Sequence, residues 1–234
     1  MAIKSGETTY HQAKRGIVQD GLVLNLDAGV DASYDGGTTW RDLKGGNNGT
    51  LTNGPTFDRD NGGSIVFDGS DDYVSLGEGG LSFPNDSADF TCEVVVKLHT
   101  VTSQQVFFQQ EDFGGTGRSW IFLRNNGGNH AFSSYLGSSD LLLTSLGVPT
   151  SGTIYHVHIK YESGVLYIGY NGVWYQSSTR SIDEGCTGGF RIGTGKNTTP
   201  PTDGNIYYVR VYNRALTAAE VLQNYNVTRH RFGV

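Results

Sequence analysis

Three carboxylates crowd the stretch Asp68-Gly69-Ser70-Asp71-Asp72. Clustered hard oxygens in a tight turn suit calcium, and short acidic side chains equally suit hydrogen bonds to the turn's own amides. Asp68, Asp71 and Asp72 are therefore candidate calcium ligands with an ordinary structural alternative, and no other cofactor is expected. Asp58-Arg59-Asp60-Asn61-Gly62 looks superficially like a calcium loop, but it lacks a third acid and the terminal bidentate Glu of an EF-hand. Glu111-Asp112 and Asp183-Glu184 are adjacent pairs. Adjacent side chains on a strand point to opposite faces, so spacing makes neither pair a two-carboxylate catalytic dyad. His156 and His158 share one strand face without an evident third ligand, and half-exposed strand histidines are expected there. Gly-x-Ser-x-Gly, phosphate-cradling and dinucleotide-binding patterns are absent from the sequence. No residue is assigned a catalytic role, and the chain is not expected to be an enzyme.

Binding chemistry has better candidates. A sugar ring needs an aromatic platform with hydrogen-bonding groups beside it, and Tyr34, Trp40, Trp120, Trp174 and Tyr175 could supply one. Trp174 and Tyr175 follow Asn171-Gly172, and neighbours on a strand alternate, so one of the two should face outward. Core packing or a subunit contact explains each aromatic equally well. Of the two cysteines, Cys92 alternates with apolar residues and is expected as a buried free thiol. Its pairing with Cys186 stays open, and without a Cys/His cluster zinc is not expected.

These residues must be held by a framework of strands. The 234 residues include 34 Gly, 13 Tyr and 11 Phe, with only 17% charged residues, a composition that favours a turn-rich all-β protein. A net charge of −6 gives no general attraction to nucleic acid. The N-terminus lacks the apolar stretch of a signal peptide, and no apolar run approaches the ~20 residues of a membrane span. Residues 1–20 are polar and aperiodic, and read as an arm that is disordered or held by a partner. From Leu22 onward apolar residues alternate. Phe90, Cys92, Val94, Val96 and Leu98 form one face of the clearest strand, with Thr91, Glu93, Val95, Lys97 and His99 on the other. Further strands are expected at 64–68, 72–76, 104–110, 118–125, 130–136, 140–146, 153–161, 165–170, 173–175, 190–193 and 206–212. Trp40 and Leu43 are expected as inward anchors. Asn171-Gly172 between two strands is a strong hairpin signal because both turn positions need positive φ. The single helix spans 217–225, opened by a Thr217/Glu220 capping box. Arg229-His230-Arg231 reads as part of a solvated tail. The expected fold is all-β: a two-sheet antiparallel β-sandwich with one short C-terminal helix. The division is an arm at 1–20, a domain at 21–226 and a tail at 227–234.

Four segments carry a resemblance: Asn48–Leu51 with Ser64–Val74; Phe90–Leu98; Tyr155–Ile159 running on to Leu166–Gly172; and Ile206–Thr217 ending in Glu220. In this order they resemble the laminin-G-like jelly roll of the concanavalin A-like lectin/glucanase superfamily. Glucanases of that superfamily carry a Glu-x-Asp-x-x-Glu strand that this sequence lacks. Many relatives carry acids just after the Ile206 position, where this chain has Tyr207 and Tyr208, so a metal role of those acids does not carry over. The opening Gly21–Gly29 with Thr38–Leu43, and the ending Asn224–Gly233, resemble the version of this domain in tailed-bacteriophage structural proteins. That resemblance implies a non-catalytic virion component of capsid, tail or fibre, assembled in the host cytoplasm. Its implied partners are other virion proteins reached through the N-terminal arm, further copies of itself in a homo-oligomer, and a host surface glycan. Neither nucleic acid nor membrane is among them. A carbohydrate-binding adhesion module outside a virion is the alternative, with a glycan hydrolase or lyase behind it.

Overall fold

The computed structural model describes residues 16–77, 89–110, 118–136, 139–179, 189–194 and 201–233. Sixteen strands are described: β1 (Leu22–Asp27), β2 (Thr39–Trp40), β3 (Gly49–Thr52), β4 (Thr56–Asp58), β5 (Ser64–Asp68), β6 (Tyr73–Ser75), β7 (Phe90–Leu98), β8 (Gln105–Gln110), β9 (Arg118–Asn126), β10 (Asn129–Leu136), β11 (Ser139–Leu142), β12 (Ile154–Glu162), β13 (Val165–Tyr170), β14 (Val173–Thr179), β15 (Phe190–Ile192) and β16 (Asp203–Tyr212). One helix, α1, spans Ala218–Thr228, and short 3₁₀ turns span Asp60–Gly62, Thr144–Leu146 and Arg229–Phe232. Every strand pairing is antiparallel and the strands form two eight-stranded sheets. The first runs β14-β13-β12-β7-β16-β5-β4, with β1 pairing the C-terminal half of β16. The second runs β11-β10-β9-β8-β15-β6-β3-β2.

Period-two alternation puts the apolar set between the sheets. Phe90, Cys92, Val94, Val96 and Leu98 pack with Tyr155, Val157, Ile159 and Tyr161 of the adjacent β12, and with Phe107, Ile121, Leu123 and Phe132 of the second sheet. Antiparallel sheets pair face to face in this way because each has one apolar face to remove from water. Burial pushes the Cys92 thiol well up, as expected of an inert core cysteine. Cys186 lies outside the described residues. Asn171 (φ 50°) and Gly172 (φ 80°) make the β13–β14 turn that the dipeptide demands.

The other face of the first sheet is covered as well. The Thr217 side chain accepts from the Glu220 amide, and the Glu220 carboxylate accepts from the Thr217 amide, so the capping box forms. The helix then lies over β7, β12 and β16. Asn224 donates to both carboxylate oxygens of Glu93 (3.0 Å each) and to the Tyr212 hydroxyl (2.9 Å), while its own oxygen accepts from the Val18 amide (2.8 Å). His156 and His158 are buried beneath this layer rather than half exposed, because α1 and Trp174 pack onto them. Burial, reinforced by neighbouring His156, pushes the His158 pKa well down.

Four sequence expectations change in detail. Leu43 is 39% exposed instead of inward, while Trp40 is fully buried. The expected strand 140–146 ends at Leu142 and turns at Thr144, whose amide is taken by Gln176. The helix runs three residues past 225. Arg231 and Phe232 are not solvated: Phe232 is buried, its ring on Tyr207 at 5.1 Å, and Arg231 pairs with Asp27. At the other end, residues 16–20 lie along α1 and β16, with Val18 packed on Leu22, Tyr212 and Leu216. Among the described residues no helix is long and apolar enough to cross a membrane.

Candidate functional site

An open cleft of about 550 Å³ lies between the β1–β2 loop and the turn joining β4 to β5. Its volume falls in the range typical of small-molecule sites. The first wall begins where β1 ends. The Ser33 hydroxyl accepts from the Asp27 amide (3.0 Å) and donates to the Arg41 carbonyl (2.6 Å), which folds residues 28–41 back onto the sheet. That fold presents Tyr34, whose ring enters the core while its hydroxyl donates to the Gly37 carbonyl (2.9 Å). Burial, with the neighbouring Asp35 charge, raises the Tyr34 pKa, so it stays a neutral phenol. The second wall is Phe57 on β4, held by pairing with Ile65. The two rings meet at 5.2 Å, tilted 44°, and Phe57 keeps 37% of its surface exposed.

Polar groups flank this aromatic pair. Asp31, Asp35 and Arg59 line the cleft and all three are exposed. The Arg41 guanidinium hydrogen-bonds Asp35 at 2.7 Å and holds its carboxyl below the usual range. No hydrogen bond or ion pair engages the side chains of Asp31 and Arg59 among the described residues. Aromatic faces with free hydrogen-bonding groups beside them can stack against a sugar ring and bond its hydroxyls.

The other sequence candidates are scattered. Trp40 is sealed in the core, where no ligand can reach it, so burial removes it as a platform. Trp120 is on β9 and its side chain lies outside the described part. Trp174 is half buried, edge-on to His158 at 4.5 Å, with the Lys160 ammonium 5.4 Å from its ring. Tyr175 is the outward neighbour, 45% exposed and stacked on Tyr170 at 4.8 Å. Asp68, Asp71 and Asp72 do gather, each offering an oxygen within 4.8 Å of the others. Two of those carboxylates already serve the turn: Asp68 accepts from the Ser70 amide (2.8 Å) and Asp72 from the Asp68 amide (3.1 Å). Burial and the adjacent Asp68 and Asp71 charges raise the Asp72 pKa. Glu111-Asp112 and Asp183-Glu184 lie outside the described residues.

Sequence reasoning missed Phe57, Asp31 and Arg59, which carry no local pattern. It also missed Glu93, a fully buried carboxylate 3.6 Å from His156. Its alternation with Val95 and Thr91 placed it on the outer face, and the covering helix makes that face a second interior.

The comparisons with known proteins agree with this architecture. The concanavalin A-like lectin/glucanases superfamily, through its Laminin_G_3 family, matches residues 68–222, about two thirds of the chain. No curated protein matches the chain. Among solved structures, Trypanosoma rangeli sialidase with the inhibitor DANA is similar over 89% of this chain and 33% of its own, at TM-score 0.69 and 15% identity. The chain thus spans about a third of that sialidase. Domain 4 of AbnA, a GH43 extracellular arabinanase from Geobacillus stearothermophilus, is similar over 87% of this chain and 97% of its own, at TM-score 0.64 and 20% identity; that domain was solved with arabinotriose. The receptor-binding domain of botulinum neurotoxin D is similar over 88% of this chain and 52% of its own, at TM-score 0.65 and 13% identity. At these identities the likeness to solved structures is one of fold alone. The matched family, with the two-sheet antiparallel sandwich, places the chain in the concanavalin A-like lectin/glucanases superfamily, to whose Laminin_G_3 family it belongs.

Proposed function

We propose that the chain is a non-catalytic carbohydrate-binding module that takes a neutral oligosaccharide in the Tyr34/Phe57 cleft. The observation that carries this reading is the aromatic pair, with Phe57 partly exposed, beside the unengaged Asp31 and Arg59. Asp31 and Arg59 can both hydrogen-bond neutral hydroxyls, and with Asp35 paired to Arg41 and Asp31 balanced by Arg59 the cleft has no net charge to select an ionic sugar. The AbnA domain supports the reading, since it matches over nearly its full length and was solved with an arabinose oligomer. The module needs no cofactor and no titrating acid. A glycan array followed by calorimetry with arabinotriose tests it. Millimolar or tighter binding that weakens in Phe57→Ala is expected. Absence of binding to every neutral glycan, or turnover of any of them, would overturn it.

A second reading places this module in a virion as a capsid, tail or fibre component acting through protein contacts. Its support is the resemblance of residues 21–29 and 224–233 to bacteriophage structural proteins. Those two segments also touch each other, through Arg231 and Asp27. In this reading the segment before Gly16 contacts a neighbouring subunit, since residues 16–20 pack on the chain's own helix and β16, and the module works as a homo-oligomer. Proteomics of purified particles, with and without truncation of residues 1–15, tests it; particles lacking the chain, or undiminished incorporation of the truncated form, count against it.

A further inference from the structure

We propose that Arg231 is the positioning residue of the cleft, and that ligand binding there is linked to docking of the C-terminal turn Arg229–Phe232. The proposal rests on the cleft reading above and adds what sets the cleft's shape. Three consecutive residues of the β4–β5 turn, Asn61, Gly62 and Gly63, have φ of 52°, 78° and 102°. Glycine adopts positive φ freely, whereas Asn61 is a non-glycine residue in that region, so the turn has several paths open to it and contacts must select one. The Arg231 guanidinium holds it: Nε donates to the Asn61 carbonyl (3.2 Å) and Nη2 to the Gly63 carbonyl (2.6 Å), bracketing Gly62. The remaining nitrogen, Nη1, donates to Asp27 Oδ1 at the end of β1. One planar fork therefore ties together the two walls of the cleft, the β1–β2 loop and the β4–β5 turn.

The surrounding residues are fitted to that fork. A Cβ on Gly29 would lie 1.9 Å from the Gly62 carbonyl oxygen and 2.2 Å from Arg231 Nη2. A Cβ on Gly62 would lie 2.8 Å from both Cγ and Nε of Arg231. Asp27 also accepts from the Gly29 amide (3.1 Å) and from Arg210 Nη2 (3.3 Å), so it stays paired when Arg231 is removed. The Phe232 ring, seated on Tyr207 (5.1 Å) and Tyr208 (6.3 Å), fixes the turn that carries Arg231. A ligand that selects this arrangement of the cleft walls must then favour the docked turn by the same factor, because coupling between two sites is reciprocal.

The test combines amide hydrogen exchange with arabinotriose calorimetry on the full chain and on Arg231→Ala and Arg231→Lys. We expect Arg231→Ala to speed exchange at 61–63 at least tenfold and to weaken arabinotriose at least tenfold, with β7 and β12 protection unchanged. Arg231→Lys, which cannot fork, should recover only part of each. In the unsubstituted chain, arabinotriose should slow exchange at 229–232. Unchanged exchange at 61–63 in Arg231→Ala overturns the positioning role whatever the ligand does. Loosened 61–63 with unaltered affinity overturns the linkage. An unsubstituted chain that binds no neutral glycan overturns the cleft reading and the linkage together, while the exchange rates still decide the positioning role.

Discussion

Phe57→Ala separates the cleft's role in binding from its role in stability. A whole phenylalanine presents roughly 200 Å². With 37% exposed, about 75 Å² of Phe57 is free to receive a ligand. At about 25 cal/mol per Å², covering all of it contributes about 1.9 kcal/mol, and covering half about 1 kcal/mol. Truncation should therefore weaken a neutral glycan roughly 5- to 25-fold. The buried remainder rests on Tyr34 at 5.2 Å, so the fold also loses about 2 kcal/mol. In a chain of this size that lowers Tm by roughly 4–8 °C, which leaves a folded protein at 20 °C. Isothermal calorimetry at 20 °C on the unsubstituted chain, Phe57→Ala and Tyr175→Ala gives the comparison. Tyr175 is more exposed, at 45%, but belongs to the β14 edge, and its truncation should leave affinity within twofold. Unchanged affinity in Phe57→Ala with loss in Tyr175→Ala would refute the reasoning and move the site to that edge.

Three further outcomes follow from contacts elsewhere. Asn224→Ala strips Glu93 of both its Asn224 hydrogen bonds and should cost about 3 kcal/mol in urea denaturation; a cost below about 1 kcal/mol would contradict the buried network. The Arg214 side chain holds the Glu220 carboxyl down to about 2, against an ordinary 4.5. A depressed folded-state pKa contributes stability above the unfolded value that is lost as pH falls through the folded one. Melting profiles should thus fall between about pH 4.5 and 2 more steeply in the unsubstituted chain than in Glu220→Gln, and parallel profiles would exclude the Arg214–Glu220 pair as a contributor. Because Asp68 and Asp72 already accept turn amides, millimolar calcium should move Tm by less than about 1 °C; a rise of several degrees, lost in Asp71→Asn, would instead seat an ion there.

Much of the framework was legible because its signals are local. The alternation of Phe90–Leu98, the Asn171-Gly172 turn and the Thr217/Glu220 box each act within a few residues, and each appears as read. What depends on distant partners was not legible. His156 and His158 look like surface histidines until α1, some sixty residues later, and Trp174 cover them. Arg231 looks like tail charge until its guanidinium meets Asp27 and Gly63. At the site the sequence offered five aromatics, and only tertiary packing sorts them: Trp40 into the core, Tyr34 into the core at the floor of the cleft, Tyr175 onto the β14 edge. Phe57, a ring on a three-residue strand, gave no pattern to find.

The central claim is that a neutral glycan occupies the Tyr34/Phe57 cleft. Chemical-shift mapping of the ¹⁵N-labelled chain titrated with arabinotriose tests it most directly. The account predicts saturable shifts at Asp31–Asp35, Phe57, Arg59 and Gly62-Gly63, smaller ones at Arg229–Phe232, and none on β14. Shifts confined to β14, or none anywhere at millimolar ligand, would contradict it.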